Sequence, residues 1–165
     1  MKKIICGISF ILLSSLCTTA QTDMRIGAML GYGSEIESVG IGVVGEIPLF
    51  ESFTIAPSFV YFFPRDHVFV KTSIFEINGN VNYYFMELES FAFYGLGGIN
   101  YTNVKVKADG FGLGDYSESD GKIGANIGGG ATFNFGKNWV PFAELKYVIS
   151  DFDQLVINAG IKFNI

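Results

Sequence analysis

The 165-residue chain holds one histidine, His67. Ser73 follows six residues on and Glu76 three beyond that. A hydrolytic site needs its base and nucleophile within hydrogen-bond reach, with the base oriented by a third group. The spacing His67, Ser73, Glu76 does not by itself create that arrangement, and a solvated loop histidine is the expected role. The stretch Asp109 to Asp115, with its Gly-Phe-Gly-Leu-Gly-Asp run and Asp120 beyond it, is a single copy of a glycine–aspartate calcium pattern. Such repeats bind calcium as arrays, so a flexible loop is expected here. Asp151-Phe152-Asp153 reads as a solvated turn. No G-x-x-x-x-G-K-[ST] and no H-E-x-x-H is present. Cys6 and Cys17 are the only cysteines and both fall in the first twenty residues. We therefore expect no catalytic residue, no metal site and no cofactor.

The more informative charged residues lie inside alternating segments: Arg25, Lys146 and Lys162 against Glu46, Glu76 and Glu144. Each sits among small or polar neighbours of a period-two pattern, which is the pattern of a strand with one apolar face. The clearest case is Leu155–Ile165. There Leu155, Ile157, Ala159, Ile161, Phe163 and Ile165 alternate with Val156, Asn158, Gly160, Lys162 and Asn164. Seven more strands are expected: Met24–Gly33, Val39–Ile47, Phe53–Phe63, Ser73–Met86, Phe91–Lys107, Lys122–Phe135 and Trp139–Ser150. Between them, short turns near Glu51-Ser52, Glu87–Ser90 and Gly136–Asn138 alternate with polar connections. Pro64–Thr72 and Ala108–Gly121 are the two long loops. Val104–Lys107 exchanges its faces, which predicts a bulge or an extension beyond the bilayer. Pro57 predicts a local bulge, while Pro141 lies near a strand start.

Residues 1–20 read as a secretory signal: Lys2 and Lys3, an apolar run Ile4–Leu16, and the small cleavage site Thr18-Thr19-Ala20. The run is shorter than the ~20 residues of a spanning helix. Leu16 and Ser14 are in the wrong order for a lipoprotein site at Cys17. Residues 21–165 form one domain. Only 16% of residues are charged, while 49% are hydrophobic and 16% aromatic. Soluble domains carry about 25% charged residues, so part of this surface faces something other than water. The net charge of −5 argues against a nucleic-acid partner.

Two barrels fit the pattern: a soluble ligand-binding barrel with the apolar face inside, or a membrane barrel with it outside. The polar face is mostly Gly, Asn, Ser and Thr, which suits a cramped lumen. The apolar face is too bulky for an eight-stranded interior. Its aromatics form two belts around an aliphatic band, as in a bilayer crossing. Near the turns lie Phe53, Tyr83, Phe85, Phe91, Phe93, Phe133, Phe135, Trp139 and Phe163. Near the loops lie Tyr32, Phe59, Tyr61, Phe63, Phe75, Tyr101 and Tyr147. The six in-strand charges then point inward. We expect them to form a paired lumen network, with Arg25 and Lys162 brought close by closure of the first strand on the last.

The alternation of turns and loops, the segment FAFYGLGGINY (Phe91–Tyr101) and the terminal strand make the chain similar to the small eight-stranded outer-membrane β-barrel proteins of Gram-negative bacteria. The resemblance covers Met24 to Ile165. It departs at the final residue, which is Ile165 where the family usually ends in an aromatic; Phe163 lies two before it on the same face. The resemblance implies an all-β, eight-stranded, antiparallel up-and-down transmembrane barrel in the cell outer membrane. Its partners would be outer-membrane lipids and, during assembly, the barrel-insertion machinery, and it would be a monomer. The implied role is non-enzymatic: envelope structure or surface interaction, without a large pore. Some members of this architecture are lipid-modifying enzymes with a His and a Ser on the outer rim, so His67 carries the enzymatic alternative.

Overall fold

The computed structural model describes residues 24–67, 70–108, 116–136, 138–151 and 153–165, with the side chains of 65–67, 70–71, 106–108 and 116–118 outside that description. The expected signal segment, the Asp109–Asp115 run and Phe152 lie outside the described residues, as does the side chain of His67.

Eight strands follow one another in chain order: β1 (Arg25–Gly33), β2 (Ser38–Phe50), β3 (Phe53–His67), β4 (Val70–Glu87), β5 (Phe91–Ala108), β6 (Tyr116–Phe133), β7 (Trp139–Ile149) and β8 (Gln154–Asn164). Each pairs antiparallel with the next, and β1 pairs with β8, so the sheet closes into a barrel. Closure removes the unpaired backbone edges that an open sheet would leave in a lipid phase. On the closing seam Arg25 stands opposite Asn164 and Gly27 opposite Lys162.

The period-two reading of sidedness holds around the barrel. Ile26, Leu30, Ile41, Ile77, Ile99, Ile123, Ile157 and Phe163 point out and are exposed, Ile123 to 79%. Their alternates, among them Glu46, Glu76, Asn78, Asn126, Lys146 and Lys162, are buried. A water-soluble barrel would bury the first set, so the soluble alternative fails on this inversion. Most of the belt residues are exposed, while Tyr61, Phe75, Phe91 and Trp139 are half-buried and Phe91 also lines the turn-end cavity; several are in ring contact across neighbouring strands, such as Phe53 with Tyr83 and Phe75 with Tyr101.

The structure corrects two expectations and decides between the alternatives of a third. The two long loops are partly strand: β3 and β4 pair up to His67 opposite Val70, and β5 and β6 up to Ala108 opposite Tyr116. Alternation simply continues there with polar residues outside, as in Val104-Lys105. Of the two readings of Val104–Lys107, the bulge is excluded and the extension is kept, since the register runs unbroken from Phe91 opposite Phe133 to Ala108 opposite Tyr116. Pro57 causes no register shift either. The β2–β3 ladder passes from Val44 opposite Ser58 to Ile47 opposite Ile55 with its register unchanged, and Pro57 stays paired with Gly79 on its other side. The shifts lie instead at Pro48/Phe50, Phe62/Arg65 and Tyr84/Met86.

Candidate functional site

The lumen charges gather at three levels. Near the turns, Lys162 Nζ lies 2.6 Å from Glu46 and Arg25 3.9 Å from the same carboxylate. Tyr84 and Thr54 donate hydroxyl hydrogen bonds to Glu46 at 2.5 and 3.2 Å. The seam register places Arg25 and Lys162 on adjacent strands, so both cations reach one glutamate contributed by β2. Lys162 Nζ also lies 4.5 Å from the Phe142 ring centroid, where an aromatic face offers a cation further attraction.

At mid-height Glu144 accepts from Tyr94 and Asn158, each at 3.1 Å, with no lysine or arginine partner among the described residues. Towards the loops Lys146 Nζ lies 2.9 Å from Glu76. It also donates to Asn78 Oδ1 at 2.8 Å, and Gln154 donates to the other Glu76 oxygen. Asn100 and Asn126 then donate to the same Asn78 oxygen at 2.8 and 2.9 Å. A buried charge pair persists only when its remaining hydrogen-bonding capacity is met, and this amide cluster meets it.

The six charges are thus brought into a Glu46 group and a Glu76 group, with Glu144 held only by neutral donors. Tyr84, Tyr94 and Gln154 were not anticipated. Tyr84 and Tyr94 fall on the even positions shared with Asn82 and Asn100, so the alternation marks them as inward.

The lumen is less polar than expected. Val60, Phe62, Ile74, Val148 and Val156 are buried together with Met29, Val44 and Phe142. Phe62, Ile74 and Val148 lie one inward position loopward of the Glu76–Lys146 pair, while Val60 stands opposite Glu76 and Val156 opposite Lys146. At the turn end a cavity of about 200 Å³, lined by Arg25, Glu46, Tyr84, Thr132 and Val140 among others, opens below the Glu46 group.

The loop end is asymmetric. β4, β5 and β6 are 18 residues each, whereas β1 has 9 and β7 and β8 have 11. The β6–β7 ladder begins only at Ala125 opposite Ile149, while β6 pairs with β5 from Tyr116. Among the described residues, no strand pairs with the other edge of residues 116–124. His67 closes β3 opposite Val70 on this projecting sheet, and Ser73 lies on β4 opposite Lys105. No group of three or more metal-ligating side chains occurs among the described residues.

No protein-family model and no curated protein matches the chain. Solved structures do. The N-terminal β-barrel domain of Pseudomonas aeruginosa OprF superimposes with a TM-score of 0.70 at 17% identity, over 89% of this chain and all (100%) of that one. Ail, the attachment invasion locus protein of Yersinia pestis, gives 0.59 at 19% identity, over 87% and 97% of the two chains. Its complex with the heparin analogue sucrose octasulfate gives 0.62 at 19% identity over the same shares, 87% and 97%. Neisserial surface protein A gives 0.58 at 12% identity, over 86% and 96%. A closed antiparallel barrel with its apolar residues outside and its charges within is built to sit in lipid, and the chain has the fold of the small eight-stranded outer-membrane β-barrels.

Proposed function

We propose that this chain is a non-enzymatic, monomeric outer-membrane protein. It is exported by residues 1–20 and inserted by the barrel-assembly machinery, and it holds a projecting sheet above the cell surface for interaction with other surfaces. The observation that carries this reading is the overrun of β3–β6 beyond their neighbours, with the outer edge of β6 left unpaired among the described residues. An exposed strand edge is a template for an added strand from a partner. Charges drawn inward and aromatics at both ends of the outer wall support membrane residence, with the rings at the two headgroup levels. The capped lumen supports a role in which the barrel is an anchor and not a channel. Ail shares the fold and is named for attachment and invasion.

The test uses whole cells. Ser119 is exposed on the projecting part of β6. A Ser119→Cys variant should react with a membrane-impermeant maleimide from outside, in a protein that shifts on unheated gels. Shortening the β5–β6 hairpin should lower adhesion of expressing cells to one another or to coated surfaces, with the gel shift retained. A label that reacts only after lysis, or unchanged adhesion, overturns the reading.

A further inference from the structure

At the turn end of the lumen the charges are only partly matched. Glu46 is engaged there by Lys162, Tyr84 and Thr54. Arg25 is engaged less fully. Its Nε donates to Asn164 Oδ1 at 3.1 Å, but its Nη1 stands 3.9 Å from Glu46, beyond hydrogen-bond distance. Its terminal N–H donors therefore stay open among the described residues. The side chain is 26% exposed and lines the cavity of about 200 Å³. Two further acids, Glu51 and Glu87, line the same cavity. Both are exposed, and neither has an ion-pair or hydrogen-bond partner among the described residues.

Glu87 reaches this cavity because β4 breaks its register. Tyr84 faces the lumen opposite Tyr94. Plain alternation from there would turn Met86 inward and Glu87 outward. The ladder slips between Tyr84 and Met86 instead. Met86 then stands opposite the outward Phe93, and Glu87 stands opposite Ala92, which lines the cavity. A bulge re-aims the side chains that follow it, and barrel rims are a usual place for one. Here it brings an unpaired carboxylate into the same cavity as an under-used guanidinium. Glu51 comes from the β2–β3 turn, which Tyr84 N–H ties to the end of β4 by a hydrogen bond to Ser52 O at 2.8 Å. The free acids thus gather on the side of β2–β4, and the cations Arg25 and Lys162 on the closing seam of β1 and β8.

The size and walls of the cavity narrow the ligand. At about 30 Å³ per water, about 200 Å³ holds about seven waters, whereas drug-sized ligands fill about 300–1,000 Å³. The occupant is therefore no larger than a single amino acid. An anion alone would meet Glu51 and Glu87, and a cation alone would meet Arg25. A molecule carrying both charges satisfies each side. Leu88, Phe91 and Val140 add an apolar wall. We propose that the turn-end cavity binds a small zwitterion of the α-amino-acid class, with its carboxylate on Arg25, its ammonium on Glu87 and Glu51, and its side chain against that wall. That this end faces the periplasm rests on the outer-membrane reading above; the binding itself does not.

The experiment titrates the purified full barrel, in neutral detergent, with leucine, N-acetylleucine and leucine amide, read by calorimetry. N-acetylleucine keeps only the carboxylate, and leucine amide keeps only the ammonium. Leucine should bind. Its amide should bind about tenfold more weakly, the loss expected for a charged hydrogen bond to a half-buried group. N-acetylleucine should bind about threefold more weakly, the smaller loss expected at exposed carboxylates. Arg25→Gln should weaken leucine about tenfold and erase its advantage over the amide. Glu51→Gln/Glu87→Gln should weaken leucine about threefold and erase its advantage over N-acetylleucine. Lys122→Gln, at the loop end, should match wild type. Every variant should keep the unheated-gel shift; if Arg25→Gln loses it, the acid variant and the three ligands on wild type decide. No binding of leucine up to tens of millimolar overturns the site. Equal binding of N-acetylleucine makes it a plain anion site, and equal binding of the amide a plain cation site; either overturns the proposal. A wild type without the gel shift would overturn the membrane-barrel reading alone, so the two failures are distinguishable.

Discussion

At the scale of single residues, the lumen separates two kinds of buried carboxylate. Glu76 is fully buried against Lys146 and depends on that cation. Removing one partner of such a pair leaves an uncompensated charge, which costs about 3–5 kcal/mol. Lys146→Met should therefore lower the unfolding free energy by about that much, while Glu76→Leu/Lys146→Met should recover most of it. Urea unfolding of the refolded barrel in detergent gives both values. Glu144 is only half-buried and accepts from neutral donors, so Glu144→Gln should cost no more than about 1 kcal/mol. A larger loss for Glu144→Gln than for Lys146→Met would refute this ordering. Asn82 presents the opposite case. It is 1% exposed, its amide has no hydrogen-bond partner among the described residues, and it stands opposite Leu96. Replacing a buried unpaired polar group with an apolar one of similar shape removes a desolvation cost of about 1–3 kcal/mol. Asn82→Leu should raise the melting temperature; a fall would show that the amide is satisfied in the lumen.

At the scale of elements, alternation made the strands legible because a barrel strand has a different solvent on each face. Leu155–Ile165 shows this most plainly, and β8 spans Gln154–Asn164. Where both faces meet water the contrast disappears. Residues 64–72 and 108–121 therefore read as loops, although β3, β4 and β6 continue into them. Closure of the first strand on the last made the nearness of Arg25 and Lys162 legible, and the rest of the charge pairing only as a balance of signs: which glutamate meets which lysine depends on strand register, and register is absent from a pattern of faces. The inward Tyr84 and Tyr94 share the parity of Asn82 and Asn100, a signal that the reading of aromatics as belts left unused. Strand approach was also hidden in the glycines. A β-carbon at Gly160 would collide with the backbone of Ala28 and Met29 on the closing seam, whereas one at Gly95 would meet nothing within 4 Å. Gly160→Val should therefore weaken closure of β8 on β1 and abolish the unheated-gel shift, while Gly95→Val should fold like wild type. Equal behaviour of the two would remove close backbone approach as the reason for Gly160.

At the scale of the whole molecule, the two ends of the lumen are filled differently among the described residues. Eight strands leave an interior only wide enough for side chains. At the loop end that space holds Phe62, Ile74 and Val148, in one apolar cluster with Val60 and Val156, which stand opposite Glu76 and Lys146. Beneath them Lys146 from β7 reaches Glu76 from β4, and Gln154 from β8 reaches the same carboxylate, so the adjacent strands β7 and β8 are tied across the axis to β4. The seal is therefore double: an apolar layer that excludes water, and below it a polar bridge that occupies the cross-section. The turn-end cavity of about 200 Å³ lies against the Glu46 group, with Arg25, Glu46 and Tyr84 in its lining. In planar bilayers the wild-type barrel should show no conductance steps. Phe62→Ala alone should remain closed, because the Lys146–Glu76 bridge still spans the axis. Lys146→Ala alone should remain closed, because the apolar layer still excludes water. Only the double variant should give small steps, well below those of a sixteen-stranded porin whose lumen is an aqueous channel. Steps from either single variant would mean that one layer carries the seal, and steps from wild type would make the barrel a channel.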